Sequence, residues 1–339
     1  MQSGKFEREE MKSMKKAVYI LMILIMAYMC TGCQSELLFT EITNKECLPY
    51  ETTIVPLKSV DEMIGAFSVS GERAYISTLD DKSKLQDYIV NMNDWSVTSV
   101  KNSELGEDDW CFLRTVDAEG NIVMMVRKNN TVEGMEHSIV VTKFKPDGEI
   151  LLQKDITSWI TQVDFSEGDM GDVVAVKIGK KGDLIIIMKH QVIVLDSEYE
   201  KPQYIELDKG TIQSAAYMKN GKVVCGIEQE KNYYLQVCNP ENGRWEKQAD
   251  FNNGDFDQLY DRTLLDGADY DFYYKDEYAI YGFDMKSEEY IKVVDYKQSG
   301  ITAELGERYY IRPIEGNRML GLIVPTEGAE FRLYTPREK

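Results

Sequence analysis

Histidine is scarce in this chain: 339 residues hold only two, His137 and His190. Imidazole is the usual general base and the commonest metal ligand near neutral pH. Neither histidine falls in an H-x-x-x-H or H-E-x-x-H pattern. Both sit in loop-like contexts, EGMEHS and KHQ, with no paired cysteines beside them. No metal site and no cofactor are therefore expected. A G-x-S-x-G elbow is also missing, since FSVSG (67–71) lacks the first glycine and reads as strand into turn. There is no P-loop and no dinucleotide fingerprint, and no alternation of strands with helices to hold one. Helical periodicity itself is nearly absent: no run of apolar residues at i, i+3, i+4, i+7 is long enough for a core helix. Positive charge is short too, with 39 Lys and Arg against 58 Asp and Glu, for a net charge of −19. Nucleic-acid binders need a basic face, so no nucleic-acid partner is expected.

What is present begins at the N-terminus. Lys15 and Lys16 precede AVYILMILIMAYM (17–29), which is uncharged, and CTGC (30–33) follows. Basic residues, a short apolar run and small residues in that order form a secretory signal. The run falls short of the ~20 residues that cross a bilayer. MCTGC resembles a bacterial lipobox, although Cys30 stands where leucine is usual. The resemblance makes Cys33 the lipidated first residue of the mature chain, and it argues against a C-x-x-C redox or metal pair. Residues 1–32 are then a signal peptide, 33–50 a tether and 51–339 the folded domain. Glu7, Glu9 and Glu10 do not suit a basic leader, and a start at Met11 or Met14 would be cleaner. Without residues 1–32 the chain has 307 residues and a net charge of −21, since five basic and three acidic residues leave. Such acidity suits solubility at a cell surface, with two acyl chains supplying the hold on the membrane. Of the remaining cysteines, Cys225 and Cys238 flank a hairpin. They could be bridged or could be two buried thiols.

Along the body of the chain a turn glycine followed by a strand recurs, at Gly71, Gly120, Gly182, Gly221 and Gly316. The intervals are 49, 62, 39 and 95 residues, and the last is close to two repeats. A sixth anchor is therefore expected near residue 270, at the Lys275-Asp276 turn of YDFYYKDEYAIYGFD. Each unit has further strand segments close behind it. Repeats of this length built of about four strands predict an all-β propeller of about six blades. Seven blades or an incomplete ring are the alternatives, and a pair of β-sandwiches is the competing fold. The last unit has no outer strand, so TTIVPL (52–57) is expected to close the ring, with Pro56 at an edge.

Carboxylates are too abundant for any one to signal catalysis. DFNNGDFDQLYDRTLLDGADYD (250–271) fails the EF-hand pattern because Gly254 falls on a ligand position. It reads as a solvated inter-blade loop, and so does ELGEDDW (104–110). NPENGRW (239–245) fails as a sialidase-type Asp-box. Tyrosine is plentiful, at 21 residues. Aromatic rings beside Asp and Asn suit a sugar-binding face, which makes Trp245, Tyr270, Tyr273 and Tyr274 candidate ligand-binding residues. The alternative is that they are ordinary strand residues.

LLDGADYDFYYKDEYAIYGFDMKSEEYIKVVDYKQSGI (264–301), taken with the lipobox, resembles the N-terminal propeller region of extracellular solute-binding lipoproteins of clostridial-type Gram-positive bacteria. The resemblance implies a surface protein linked to carbohydrate uptake. In that family a carbohydrate-type solute-binding domain follows the propeller, and its binding residues have no counterpart here. The expectation is a non-catalytic, lipid-anchored extracellular module that binds a carbohydrate or a surface protein. A propeller glycosidase or lyase, or a purely structural surface lipoprotein, are the alternatives. An enzyme would bring two or three carboxylates together in the central funnel, whereas a scaffold would line it with mixed polar side chains.

Overall fold

The computed structural model describes residues 37–42, 47, 49–57, 63–79, 85–101, 109–129, 137–160, 172–230, 232–251, 263–299, 310–323 and 329–337. Cys33 and the whole leader lie outside them, as do residues 252–262 and 104–108 of the two acidic stretches. None of the described helices is long and apolar enough to cross a membrane.

Two strands precede the repeats, β1 (Leu37–Glu41) and β2 (Tyr50–Leu57). Blade 1 is β3–β6: Met63–Ser70, Arg73–Leu79, Leu85–Asn91 and Val97–Val100. Blade 2 is β7–β10: Trp110–Val116, Ile122–Asn129, His137–Phe144 and Ile150–Asp155. Blade 3 is β11–β14: Val173–Ile178, Leu184–Met188, Gln191–Leu195 and Pro202–Glu206. Blade 4 is β15–β18: Thr211–Tyr217, Val223–Gln229, Asn232–Asn239 and Arg244–Phe251. Blade 5 is β19–β22: Thr263–Leu265, Phe272–Lys275, Ala279–Asp284 and Glu289–Asp295. Blade 6 is β23–β25: Arg312–Ile314, Arg318–Ile323 and Ala329–Pro336, with β2 as its fourth strand. Neighbours within each blade pair antiparallel, and the first strands surround the axis. The fold is a six-bladed β-propeller.

The turn glycines are what the repeat pattern required. Gly71, Gly120, Gly182, Gly221 and Gly316 all have positive φ, between 56° and 91°, a region that costs any residue with a Cβ. Each joins the first strand of its blade to the second. The sixth anchor is displaced from its expected place. Lys275-Asp276 joins the second and third strands of blade 5, and the equivalent connection is residues 266–271. It is a six-residue loop because β19 stops after three residues. Closure follows the expectation: β2 pairs with β25 from Tyr50↔Pro336 to Leu57↔Ala329, leaving Pro56 on the outer edge.

Packing is arranged as one apolar cluster per interface between blades. In blade 3, Leu184, Ile186 and Met188 face blade 2, while Ile185 and Ile187 face blade 4. In blade 2, Ile122, Met124 and Val126 face blade 1, and Val123 and Met125 face blade 3. Side chains alternate across a strand, so a strand buried on both faces reads as a continuous apolar run, LIIIM or IVMMV, instead of an alternating one. Cys225 and Cys238 are free thiols, both fully buried between blades 3 and 4. Their register is diagonal, Cys225 opposite Gln236 and Cys238 opposite Val223. Burial pushes both thiols up, Cys238 to about 12, which keeps them unreactive. His137 begins β9 and His190 lies in an exposed turn.

Among the described residues a charged pair is buried in this apolar ring. Arg114 on β7 reaches into blade 1, where its Nη2 lies 3.1 Å from Asp87 Oδ2 on β5. The side chains are 3% and 0% exposed. The contact is one of charges without an aligned hydrogen bond. Burial raises the Asp87 carboxyl, and Arg114 partly opposes that. Two desolvated charges return little net energy, so the pair adds little to stability, whereas removing one partner would strand the other.

The segment expected as a tether is partly built into the body. β1 runs parallel between the outer strands of blades 4 and 5, with Leu37↔Ala249 on β18 and Thr40↔Glu289 on β22. It joins the two blades into a nine-stranded sheet. Phe39 explains why: it is 1% exposed and packs edge-on against Phe283 at 5.2 Å and Phe272 at 6.3 Å. Truncating a fully buried phenylalanine costs about 3–5 kcal/mol. Phe39→Ala is therefore expected to destabilise the protein by about that amount in urea unfolding, and to expose β1 to limited proteolysis. An unchanged midpoint would mean that β1 is only loosely attached.

Candidate functional site

The first strands of the six blades end around a cavity of about 430 Å³ on the axis, at the face carrying the turn glycines. Four positions before each glycine a side chain reaches its rim: Phe67 before Gly71, Val116 before Gly120, Ile178 before Gly182, Tyr217 before Gly221 and Arg312 before Gly316. Four of these five are apolar or aromatic, and the fifth, from blade 6, is cationic. The Arg312 guanidinium lies 5.6 Å from the centre of the Phe67 ring, within reach of a cation–π attraction.

Blades 3, 4 and 5 meet at one side of the mouth. Asp266 Oδ1 accepts from the Lys177 ammonium at 2.7 Å and from the Tyr217 amide at 2.8 Å. The Tyr217 hydroxyl accepts from the Lys180 amide at 3.0 Å, and Lys180 Nζ donates to the Lys219 carbonyl at 2.6 Å. Gly267 allows this crossing of loops. Its amide donates to the Tyr217 carbonyl at 2.8 Å, and a Cβ there would run into the Asp271 carbonyl and the Lys219 amide. Across the mouth, Ser68 Oγ and Thr115 Oγ1 hydrogen-bond at 2.8 Å, tying blade 1 to blade 2. Among the described residues the lining holds three cations, Lys177, Lys180 and Arg312, and the carboxylate of Asp266. That carboxylate is already held by a lysine and an amide.

The aromatic candidates do not gather here. Tyr273 is fully buried in the blade 5–6 interface. Tyr274, the next residue, is 2% exposed and faces blade 4. Tyr270 is half-buried on the loop between β19 and β20, edge-on to Tyr273 at 5.5 Å and lying over Gly282. Trp245 sits on β18, the outermost strand of blade 4, and its Nε1 donates to the Glu206 carbonyl at 2.8 Å. Two of the four are core strand residues and the other two lie far apart. The residues that do converge at the mouth were open to detection by another route. Aligning the repeats on their turn glycines places Arg312 in register with Phe67, Val116, Ile178 and Tyr217, where it is the odd member.

Among the described residues no group of three or more His, Cys, Asp or Glu could hold a metal ion. Lys275 on β20 adds to the positive character near Arg312. Burial, with the Arg312 charge second, pulls its ammonium down to about 8. A lysine depressed in the folded state costs stability while it is charged, and that cost is relieved as pH rises through about 8. Lys275→Met is thus expected to raise the urea midpoint near pH 7, with the gain fading as pH approaches ~10.4, the ordinary lysine value. A pH-independent change would mean that the charge is not desolvated.

No family model matches the chain, and no curated protein matches it significantly in sequence. Solved structures do resemble it. A protein of Bacteroides fragilis described as exported superposes with a TM-score of 0.51 at 11% identity, covering 90% of this chain and 100% of that one. A gluconolactonase of Xanthomonas campestris (TM-score 0.45, 9% identity, 88% and 94% covered) and a coronin WD40 domain of Toxoplasma gondii (0.44, 8%, 87% and 90%) overlap more loosely. The first likeness shows the propeller fold, and the other two fall below the overlap at which a likeness carries an argument.

Proposed function

We propose that this propeller is a non-catalytic binding module, held at the outer face of the cell membrane by a lipid on Cys33, whose ligand enters the axial cavity at the glycine-turn face. The observation that carries the binding role is the composition of the mouth. Carboxylate catalysis needs acids whose environments set them apart, and among the described residues the lining offers one carboxylate, neutralised by Lys177 at 2.7 Å. The cavity has the size and mixed lining of a small-ligand site, apolar walls with a few convergent polar groups. The anchor rests on Lys15-Lys16, the apolar run 17–29 and the small residues before Cys33. The resemblance of residues 264–301 to the propeller region of solute-binding lipoproteins favours a carbohydrate as ligand.

Two measurements test this. Cells fed a labelled fatty acid should label the protein, and Cys33→Ser should abolish the label and release the chain to the medium. Retention of Cys33→Ser at the membrane would refute the lipid anchor. The full-length protein in mild detergent should show a thermal shift with at least one member of a panel of sugars and glycans. A ligand at 100-fold its Kd stabilises by about 2.7 kcal/mol, which such a scan resolves. Turnover of a ligand that shifts the midpoint would instead establish an enzyme.

A further inference from the structure

Resting on the lipid anchor at Cys33, we infer that the outer rim of blades 4 and 5, where β1 lies, is the surface that faces the membrane, with the axial mouth left open to the medium. Slack in the chain decides this. Were residues 33–50 a free tether, the Cα steps from Cys33 to Tyr50, at about 3.5 Å each, would let the lipid stand about 60 Å from Tyr50. A domain of this length has a radius of gyration of about 19 Å and is roughly 50 Å across. Any part of its surface could then meet the lipid.

The structure removes that freedom. β1 begins at Leu37, so only Gln34, Ser35 and Glu36 stand between it and Cys33. The Cα steps from Cys33 to Leu37 span about 14 Å at most, well under the width of the body. β1 is held along both edges, by Ala249, Asp250 and Phe251 of β18 and by Glu289 and Tyr290 of β22. The Thr40 amide donates to the Glu288 carbonyl at 2.9 Å, and the buried Phe39 ring pins the strand from beneath. The chain keeps to the rim after β1. The Ile42 amide donates to the Tyr290 carbonyl at 2.9 Å, the Cys47 thiol to the Lys292 carbonyl at 3.2 Å, and the Arg337 amide to the Pro49 carbonyl at 2.8 Å. A pull on the lipid is therefore taken up at β1, and the bilayer surface lies a short leash away from it. A chain of net charge −19 gains nothing from anionic headgroups. Two acyl chains supply the hold, and the leash sets which side is presented. Blade 2 lies across the ring from β1, and its exposed Trp110, Ile150 and Leu151 are on the far side. The mouth opens on the axis through the glycine-turn face, so attachment at the rim leaves it clear of the headgroups.

Radical footprinting tests the orientation. The lipidated protein on phosphatidylcholine vesicles containing phosphatidylglycerol, and the Cys33→Ser chain free in solution, are exposed to hydroxyl radicals. Oxidation is then read residue by residue by mass spectrometry. Trp245 on β18 and Met285 in the turn before β22 report on the rim beside β1, and Trp110 and Leu151 report on the far side. Oxidation should slow at Trp245 and Met285 on vesicles and stay unchanged at Trp110 and Leu151. A flexible Gly/Ser insert of about 20 residues after Glu36, with a mean span of about 25 Å, should keep the protein on the vesicles and abolish the protection. Protection of Trp110 and Leu151 instead, uniform protection, none at all, or rim protection that survives the insert would overturn the orientation and leave the anchor standing. Failure of the wild-type chain to stay on the vesicles would remove the anchor and the orientation together.

Discussion

Every blade of this propeller has two apolar faces and only its two neighbours to cover them, and that constraint governs the rest of the molecule. A sheet such as Leu184–Met188, with Leu184, Ile186 and Met188 on one face and Ile185 and Ile187 on the other, is stable only when both adjacent blades are in place. At roughly 25 cal/mol per Å² of apolar area, each fully buried isoleucine or leucine contributes about 1.5–3 kcal/mol. One open interface would forfeit several of these at once. The ring must therefore close, and the chain closes it by sending β2 back across to β25. A slip of one residue in any blade would exchange its two faces. Because both faces are apolar, register cannot rest on hydrophobicity alone. The glycine turns, each fixed by a positive φ, supply register that the apolar residues cannot.

The same closure makes the site. Six first strands cannot fill the axis, and what remains is a cavity whose wall is set by one or two residues from each blade. The rim is not separate from the interfaces: Phe67 belongs to the core between blades 6 and 1, and Val116 to that between blades 1 and 2. Asp266 likewise serves the joining of blades 3, 4 and 5, its carboxylate tied to Lys177 and to the Tyr217 amide.

How much of this was legible in the sequence depended on whether the signal was local. A positive φ is nearly reserved for glycine, so Gly71, Gly120, Gly182, Gly221 and Gly316 announced five turns and the repeat. TTIVPL stood out as a strand without a partner, and the last blade as one strand short. Blade 5 was harder to place. Its first strand is three residues long, and its first connection is a loop, which left Lys275-Asp276 as the more conspicuous turn. β1 carried no local mark at all: LLFTE is short, and what buries Phe39 is Phe272 and Phe283, more than two hundred positions away. The tyrosines misled for a physical reason. In a strand covered on both sides, consecutive aromatics such as Tyr273 and Tyr274 both enter cores, one in each interface. The mouth residues were legible only in register across repeats, which composition does not reveal.

Charge is distributed by the same logic. The outer strands and connections are free to be acidic, because repulsion between solvated carboxylates is weak and screened. Lysines on these surfaces find carboxylates, as Lys154 does with Glu200 and Lys181 with Glu241. Exposed pairs of that kind contribute about 0–1 kcal/mol and constrain little. At the axis the geometry is different. Six strands converge there and water is partly excluded, so an electrostatic contact gains strength from the lower local dielectric. Lys177 meets the Asp266 carboxylate there at 2.7 Å and the Lys180 ammonium donates to the Lys219 carbonyl at 2.6 Å, so both contacts tie the connections of blades 3, 4 and 5 together at the rim.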